Sequence, residues 1–359
     1  MRWPDNRLID LFEIEHPIIL APMAGAMDAE LASEVSAAGG LGSLPCAMLT
    51  AAQLREQLAK FRARTDKPVN VNFFCHTAPV PNNAREARWR DTLKPYYEEF
   101  GIDPSAPVPT SNRAPFDAAF CDLIEELRPQ VVSFHFGLPA EDLLQRVKAA
   151  GCRVISSATT TAEAVWLEQR GVDAVIAQGF EAGGHRGMFL TDNIAAQVGT
   201  FALVPQIADS VTVPVIAAGG IGDGRGIAAA FALGASGVQI GTAYLHCSEA
   251  KIAAPHRAAL RSARDDVTTI TNLMTGRPAR GIINRVIREI GPISDVAPEF
   301  PLAAGALAPL RARAEAAGSG DFSPMWSGQA AALGREMAAG ELTKKLAADA
   351  QDQLRRLAG

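Results

Sequence analysis

The chain has 359 residues, 48% of them hydrophobic, enough to bury a sizeable core and leave about a hundred residues beyond the ~250 of a typical (β/α)8 barrel. Its net charge of −5 and its lack of any Lys/Arg run argue against nucleic acid as the main partner. Five widely spaced cysteines without a CxxC pair argue against a disulfide framework or a structural zinc site, and suit reduced thiols in a cytosolic enzyme. The N-terminal segment lacks the apolar stretch of a secretory signal, and no segment approaches the ~20 apolar residues of a membrane helix.

Eight short apolar runs follow in chain order: residues 16–23 (HPIILAPM), 40–45 (GLGSLP), 68–74 (PVNVNFF), 131–136 (VVSFHF), 153–158 (RVISSA), 174–179 (AVIAQG), 214–220 (PVIAAGG) and 237–242 (GVQIGT). Each has the length of a strand, and their near-continuous apolarity predicts parallel strands covered on both faces. Helical patterns follow several of them, at 29–38, 51–64, 140–150, 161–170 and 224–233. Gly39, Gly151, Gly171 and Gly234 stand where a left-handed C-terminal cap belongs. Alternating βα units predict an α/β fold, a (β/α)8 TIM barrel, with an open doubly wound sheet as the alternative.

Two regions break the alternation. Residues 77–115 are polar and proline-rich, with a helix-like WRDTLKPYYEEF, and read as an insertion after the third strand. Beyond Cys247 the chain is alanine-rich and reads as mostly helical. The expected division is a barrel over residues 1–247 and a helical cap over 248–359, whose end is free to pack back on the barrel.

Barrel chemistry sits at the carboxyl ends of the strands. Glycines after the seventh strand (Gly219, Gly220, Gly222, Gly224) and Gly241 after the eighth let backbone N–H groups approach a phosphate, and a helix N-terminus adds partial positive charge. The competing reading is that they only make tight turns. His185 lies in the glycine-rich loop EAGGHRG, where a free imidazole suits a general base, unless it is a loop histidine without a role. Alternation puts Ser133, His135 and Gly137 on one strand face, so His135 either points to the mouth or is a satisfied core histidine. Asn70 and Asn72 likewise share a face, one amide able to hold a ligand. A metal site from His135, His185 and Glu181 lacks HxH or HxxxH spacing. Cys75 has no evident base beside it and reads as a small buried thiol. None of the seven lysines falls in a predicted strand, which argues against a Schiff-base aldolase.

Taken together, PIILAPMAG (17–25), NVNFFCH (70–76), VSFHFG (132–137), AQGFEAGGHRG (177–187), the run 214–242 and MWSGQ (325–329) make the chain resemble the nitronate monooxygenases, the 2-nitropropane dioxygenase family, with a class I-like character. The resemblance implies FMN as the cofactor, held by Ala21, Pro22, Met23, Ala24, Asn72, Gln178, Gly183, Gly184, Gly219, Gly220, Gln239, Ile240, Gly241 and Thr242. It implies His185 as the catalytic histidine; His135, from the reading of its strand face, is the second catalytic candidate. The implied reaction is oxidative denitrification of an alkyl nitronate with O2 to a carbonyl compound and nitrite, His185 removing the α-proton when the substrate is a neutral nitroalkane. An FMN-dependent NAD(P)H reductase acting on a quinone or an enoyl thioester is the alternative within the superfamily, and a non-catalytic flavin- or phosphate-binding protein is the alternative outside enzymes. Residues 299–309 (EFPLAAGALAP) carry neither the Tyr nor the Lys common in family substrate cavities, which predicts a more apolar cavity here.

Overall fold

The structure is a computed structural model and describes residues 3–109 and 113–359. Residues 110–112, inside the expected insertion, lie outside the described residues. Eight parallel strands form the main sheet: β1 (Ile18–Leu20), β2 (Gly42–Pro45), β3 (Val69–Phe74), β4 (Val131–His135), β5 (Arg153–Ala158), β6 (Ala174–Gln178), β8 (Val215–Ala218) and β9 (Gly237–Ile240). Their order is β1-β9-β8-β6-β5-β4-β3-β2, and a parallel bridge between Ile19 and Leu41 joins its ends. The eight strands therefore close into a barrel.

Alternation along the strands assigns each side chain to the inside or the outside. Outward residues such as Ile18, Leu20, Val69, Val71, Val132, Val154, Val175, Val215, Val238 and Ile240 pack with the surrounding helices in one large cluster. Inward residues at the lower end, Ile19, Leu41, Val131, Ile155, Ala174 and Ile216, form a second cluster with Leu8 and Phe12 of the N-terminal helix Arg7–Phe12, which plugs the barrel floor. Higher up, the inward set turns polar, with Asn72, Ser133, His135, Ser157, Gln178 and Gln239. That switch from aliphatic to polar marks the functional end of the barrel.

The helices between strands start on their own caps. Thr50 and Gln53 form a capping box for Ala51–Arg64, and Asp28, Thr160 and Asp223 cap Ala29–Ala37, Thr161–Glu168 and Gly224–Ala232. Gly39, Gly151, Gly171 and Gly234 end four such units with φ of +91°, +89°, +75° and +95°, the left-handed conformation that disfavours any side chain.

The insertion and the tail share one core. Trp89, Leu93, Tyr96 and Tyr97 of the helix Asn83–Glu99 pack against Leu307 and Leu310 of Ala303–Ala316 and against Phe322. Trp89 Nε1 donates to the Ala303 carbonyl at 3.1 Å. The last helix, Ala339–Leu357, lies on the barrel wall, with the Tyr244 and Thr343 hydroxyls 2.8 Å apart and its backbone so close to Gly224 that a Cβ there would meet Ala350 N at 2.5 Å. Beyond Cys247 the chain is not only helical. The strands β10 (Thr268–Thr271) and β11 (Ala279–Ile282) form an antiparallel hairpin, to which β7 (Gly184–His185) adds a third strand. The β-branched run in VTTIT is the sequence signal for it. Among the described residues no helix is long and apolar enough to cross a membrane.

Candidate active site

The polar upper interior opens into a cavity of about 270 Å³ at the carboxyl ends of the strands. Its wall includes Ala21–Ala26 after β1, Asn72 and Phe74 of β3, Ser133 and His135 of β4, Gln178 of β6 and the loop residues Ala182–His185. Gly219–Ile221 follow β8, and Gln239, Gly241 and Thr242 come from the last strand and its end. Residues 323–328 of the tail cover it, including Trp326. Of the flavin-binding and catalytic residues the resemblance implies, Ile240 does not line the cavity: the β9 register turns it outward into the helix-facing core. Asn70 sits below, its amide donating to the Ser43 hydroxyl at 2.9 Å.

The glycine-rich ends have specific structural reasons. Gly219 and Gly220 take φ of +110° and +71° as the chain leaves β8. A Cβ on Gly183 would meet Gly328 N at 2.5 Å, so the tail strap can lie directly on this loop. The strap is pinned by Gly328 N donating to Thr242 Oγ1 at 2.9 Å and Gln329 N donating to the Glu181 carbonyl at 3.0 Å. The expected helix-terminus contribution after the seventh barrel strand is altered. The Asp223 side chain caps Gly224–Ala232 by accepting from the N–H groups of Arg225 and Gly226, so that terminus already holds an anion of its own. The residues of these two strand ends that line the cavity are Gly219–Ile221 and Gly241–Ala243.

The His185 loop is held from three sides. Its backbone pairs with β11, His185 opposite Ala279, and Arg186 N donates to the Pro278 carbonyl at 2.9 Å. The His185 carbonyl receives Gln178 Nε2 at 3.0 Å and faces His135 Nε2 at 3.2 Å. A carbonyl only accepts, so His135 carries its proton on Nε2, and its Nδ1 accepts from the Ser157 hydroxyl at 3.0 Å. Gln178 Oε1 takes the Gly187 N–H at 2.7 Å. Below the loop, the buried Arg186 guanidinium donates to the Gln178 carbonyl at 2.9 Å and to Gln197 at 3.1 Å. His135 and Gln178 thus spend their polar atoms on the position of residues 185–187.

The His185 ring lies among aromatic rings, with centroid distances of 5.3 Å to Phe300, 5.4 Å to Trp326 and 6.0 Å to both Phe74 and Phe136. Its Nε2 is 2.9 Å from Thr275 Oγ1. Burial first, then Arg113, His135, Arg277 and His76, hold the imidazole well below its usual pKa. None of these neighbours is a carboxylate. The Arg277 guanidinium stacks 3.9 Å from the Phe136 ring centre, and Arg113 lines the cavity itself. His185 is therefore a neutral imidazole at pH 7 in a recess whose nearby charges are positive. Burial, with Arg277 adding, likewise pushes His76 down to about 4, and burial lowers His135 to about 3.

The remaining sequence candidates fall elsewhere. Glu181 faces inward to the loop, accepting from Thr200 N at 2.8 Å and from its hydroxyl at 2.8 Å, and the described residues hold no cluster of three or more metal-ligating side chains. Burial raises the Cys75 thiol pKa well above its usual value. Tyr96 and Tyr97 are spent in the insertion–tail core, and Phe300 stands by His185. Thr275 and Arg277 carry no local sequence signal, because their loop meets His185 only through the unexpected hairpin, whereas Trp326 lies within the quoted motif MWSGQ without a role assigned to it.

One buried polar atom in the cavity wall is unsatisfied: Gln239 Oε1 has no hydrogen-bond partner among the described residues. A ligand with an N–H edge would supply what it lacks.

A family model described as nitronate monooxygenase matches residues 5–349. A nitronate monooxygenase of Pseudomonas aeruginosa is 45% identical over 345 residues, covering 95% of this chain and 98% of that one. Another, from Paraburkholderia phytofirmans, is 43% identical over 98% of this chain and 96% of its own. Among solved structures, a nitroalkane oxidase from Streptomyces ansochromogenes superposes with a TM-score of 0.89 at 36% identity, covering 98% of this chain and 100% of that one.

Proposed function

Since the chain belongs to the nitronate monooxygenase family, a family of flavoenzymes, we propose that it binds FMN in the barrel mouth and uses O2 to oxidise alkyl nitronates to a carbonyl compound and nitrite. The observation that carries this reading is His185: a half-buried, neutral imidazole with arginines as its nearby charged groups and with aromatic walls. Such a recess favours an anion over a cation, and a nitronate is an anion.

The residues fit a flavin. Gln239 offers the unsatisfied amide oxygen for a ring N–H. The backbone of Gly219–Ile221 and Gly241–Ala243 would take the phosphate, and residues 21–24 and Asn72 would flank the ring. We assign residues 1–247 to the flavin-binding barrel and 248–359 to the cap. Bound flavin would supply the electron acceptor, with O2 as the final oxidant.

The chain's own part is positional and acid–base. Arg113 and Arg277 favour an anionic substrate beside His185. With a neutral nitroalkane, the C–H bond breaks as its proton passes to the unprotonated ring nitrogen of His185, leaving the electron pair as the nitronate. With a preformed nitronate that step falls away, and the imidazole orients the anion. The aromatic rings and the strap 325–329 keep bulk water from the reacting carbon.

The test is to isolate the protein, release its chromophore and identify it by mass, then assay nitrite formation from an alkyl nitronate under O2. FMN and nitrite are the expected results. A colourless protein with an intact fold, or a yellow one that forms no nitrite, would overturn the proposal.

A further inference from the structure

The turn between β10 and β11 reaches into the site at one polar contact. Thr275 Oγ1 lies 2.9 Å from His185 Nε2, and Thr275 is 2% exposed. The other ring nitrogen, Nδ1, makes no hydrogen bond among the described residues and belongs to a side chain that lines the cavity. A neutral imidazole carries one proton, and its location decides whether the cavity meets a lone pair or an N–H.

We propose that Thr275 is a positioning residue that keeps the His185 proton on Nε2 and so presents the Nδ1 lone pair to the substrate. The Nε2–H donates to Thr275 Oγ1. Proton abstraction then moves the substrate α-proton to Nδ1, and the resulting imidazolium still donates Nε2–H to the same hydroxyl. The contact therefore holds on both sides of the transfer. A carboxylate in this place would fix the same tautomer and bind the imidazolium more strongly. It would also put negative charge beside an anionic substrate. A threonine fixes the ring without that repulsion, in keeping with the absence of carboxylates among the groups acting on His185.

The surroundings leave Thr275 as the control point for the ring. The His185 backbone is fixed by Gln178, His135 and β11, and the rings of Phe300 and Trp326 approach its ring at centroid distances of 5.3 and 5.4 Å. Among the described residues the Thr275 hydroxyl is the one group that hydrogen-bonds the ring, and in the proposed arrangement it accepts from Nε2.

The inference rests on the flavin-dependent nitronate reading, and wild-type turnover of a preformed nitronate tests that reading separately. Thr275→Val removes the hydroxyl at nearly constant shape, and Thr275→Ser keeps it. Each is assayed with a neutral nitroalkane and with its preformed nitronate, alongside flavin content and thermal midpoint. The expected result for Thr275→Val is a fall in kcat on the nitroalkane of roughly 10- to 30-fold, at least several times larger than the fall on the nitronate. KM should change little, and Thr275→Ser should recover most of the loss. Equal losses on both substrates, or losses that follow flavin content or thermal midpoint and are not recovered by serine, would overturn the proposal. So would an unchanged kcat in Thr275→Val while the wild type turns over the nitronate.

Discussion

Replacing His185 by asparagine removes the site's proton acceptor while leaving a polar side chain in the same loop. Among the described residues of the cavity wall, His256 faces the Trp326 carbonyl at 3.1 Å with its pKa lowered to about 4, and Glu315 is held by Arg311 and the Ser323 hydroxyl. His135 has both ring nitrogens engaged and its pKa pushed down to about 3. His76 does not line the cavity and is lowered to about 4. Glu181 is occupied by Thr200. The loss on a neutral nitroalkane should therefore reach the full contribution of a positioned base, about 10²- to 10⁴-fold in kcat/KM. A preformed nitronate needs no deprotonation, and its turnover should fall less than about tenfold. The pH dependence carries the same signature. The lowered pKa keeps His185 in its basic form at and above its ordinary value of 6.5, so nitroalkane kcat/KM should show no enzyme-derived rise through pH 6.5–8. Steady-state nitrite formation with paired substrates, measured on protein of equal flavin content, provides the assay. Equal losses on nitroalkane and nitronate, or none on either, would refute the assignment of His185 as base.

Three further outcomes follow from the same geometry. Gly220→Val places a β-branched residue at φ +71° in the proposed phosphate loop, at a cost of about 1–3 kcal/mol in backbone strain. The variant should purify with less flavin per chain, read from the ratio of visible to ultraviolet absorbance, and full colour would contradict the phosphate assignment. Gln239→Leu removes the unsatisfied buried amide, so the flavin-free protein should gain up to about 1–3 kcal/mol while flavin binding weakens; denaturant midpoints and flavin titration should move in opposite directions. His135 titrates near 6.5 when unfolded and near 3 when folded, so the unfolded chain binds more protons once the pH falls below 6.5. Its contribution is complete above pH 6.5 and is lost as the pH falls toward 3, by about 1.4 kcal/mol per pH unit. The lowered pKa values of His76 and His256 act in the same direction. Urea midpoints should fall steadily from pH 6.5 to 4, and a flat profile would contradict the buried neutral state of these rings.

The barrel was legible because its signals are local. Apolar runs of strand length, four of them preceded by the helix-ending glycines Gly39, Gly151, Gly171 and Gly234, carry their own boundaries, and the structure ends four helices at those glycines. Period-two alternation was enough to group Ser133 with His135, and the same rule explains why Ile240 turns away while Gln239 and Gly241 face the cavity. What remained illegible depends on distant pairing. Nothing local joins residues 268–282 to Gly184 and His185, yet that pairing brings Thr275 to the histidine ring. The shared core of Trp89 with Leu307 likewise spans more than two hundred residues, and neither helix alone announces its partner. Asp223 stands immediately before the helix Gly224–Ala232, the position of an N-cap, and the same glycine-rich run also fits a phosphate turn, so the sequence alone leaves the two roles unseparated.

The central claim, that a flavin in this barrel takes its electrons from a nitronate, is tested most directly by anaerobic rapid mixing of the purified protein with an alkyl nitronate and, separately, with NADH or NADPH, while following flavin absorbance. The account predicts flavin reduction by the nitronate and none by the pyridine nucleotides. Fast bleaching by NADH or NADPH with no response to the nitronate would contradict it and place a reductase on the same barrel.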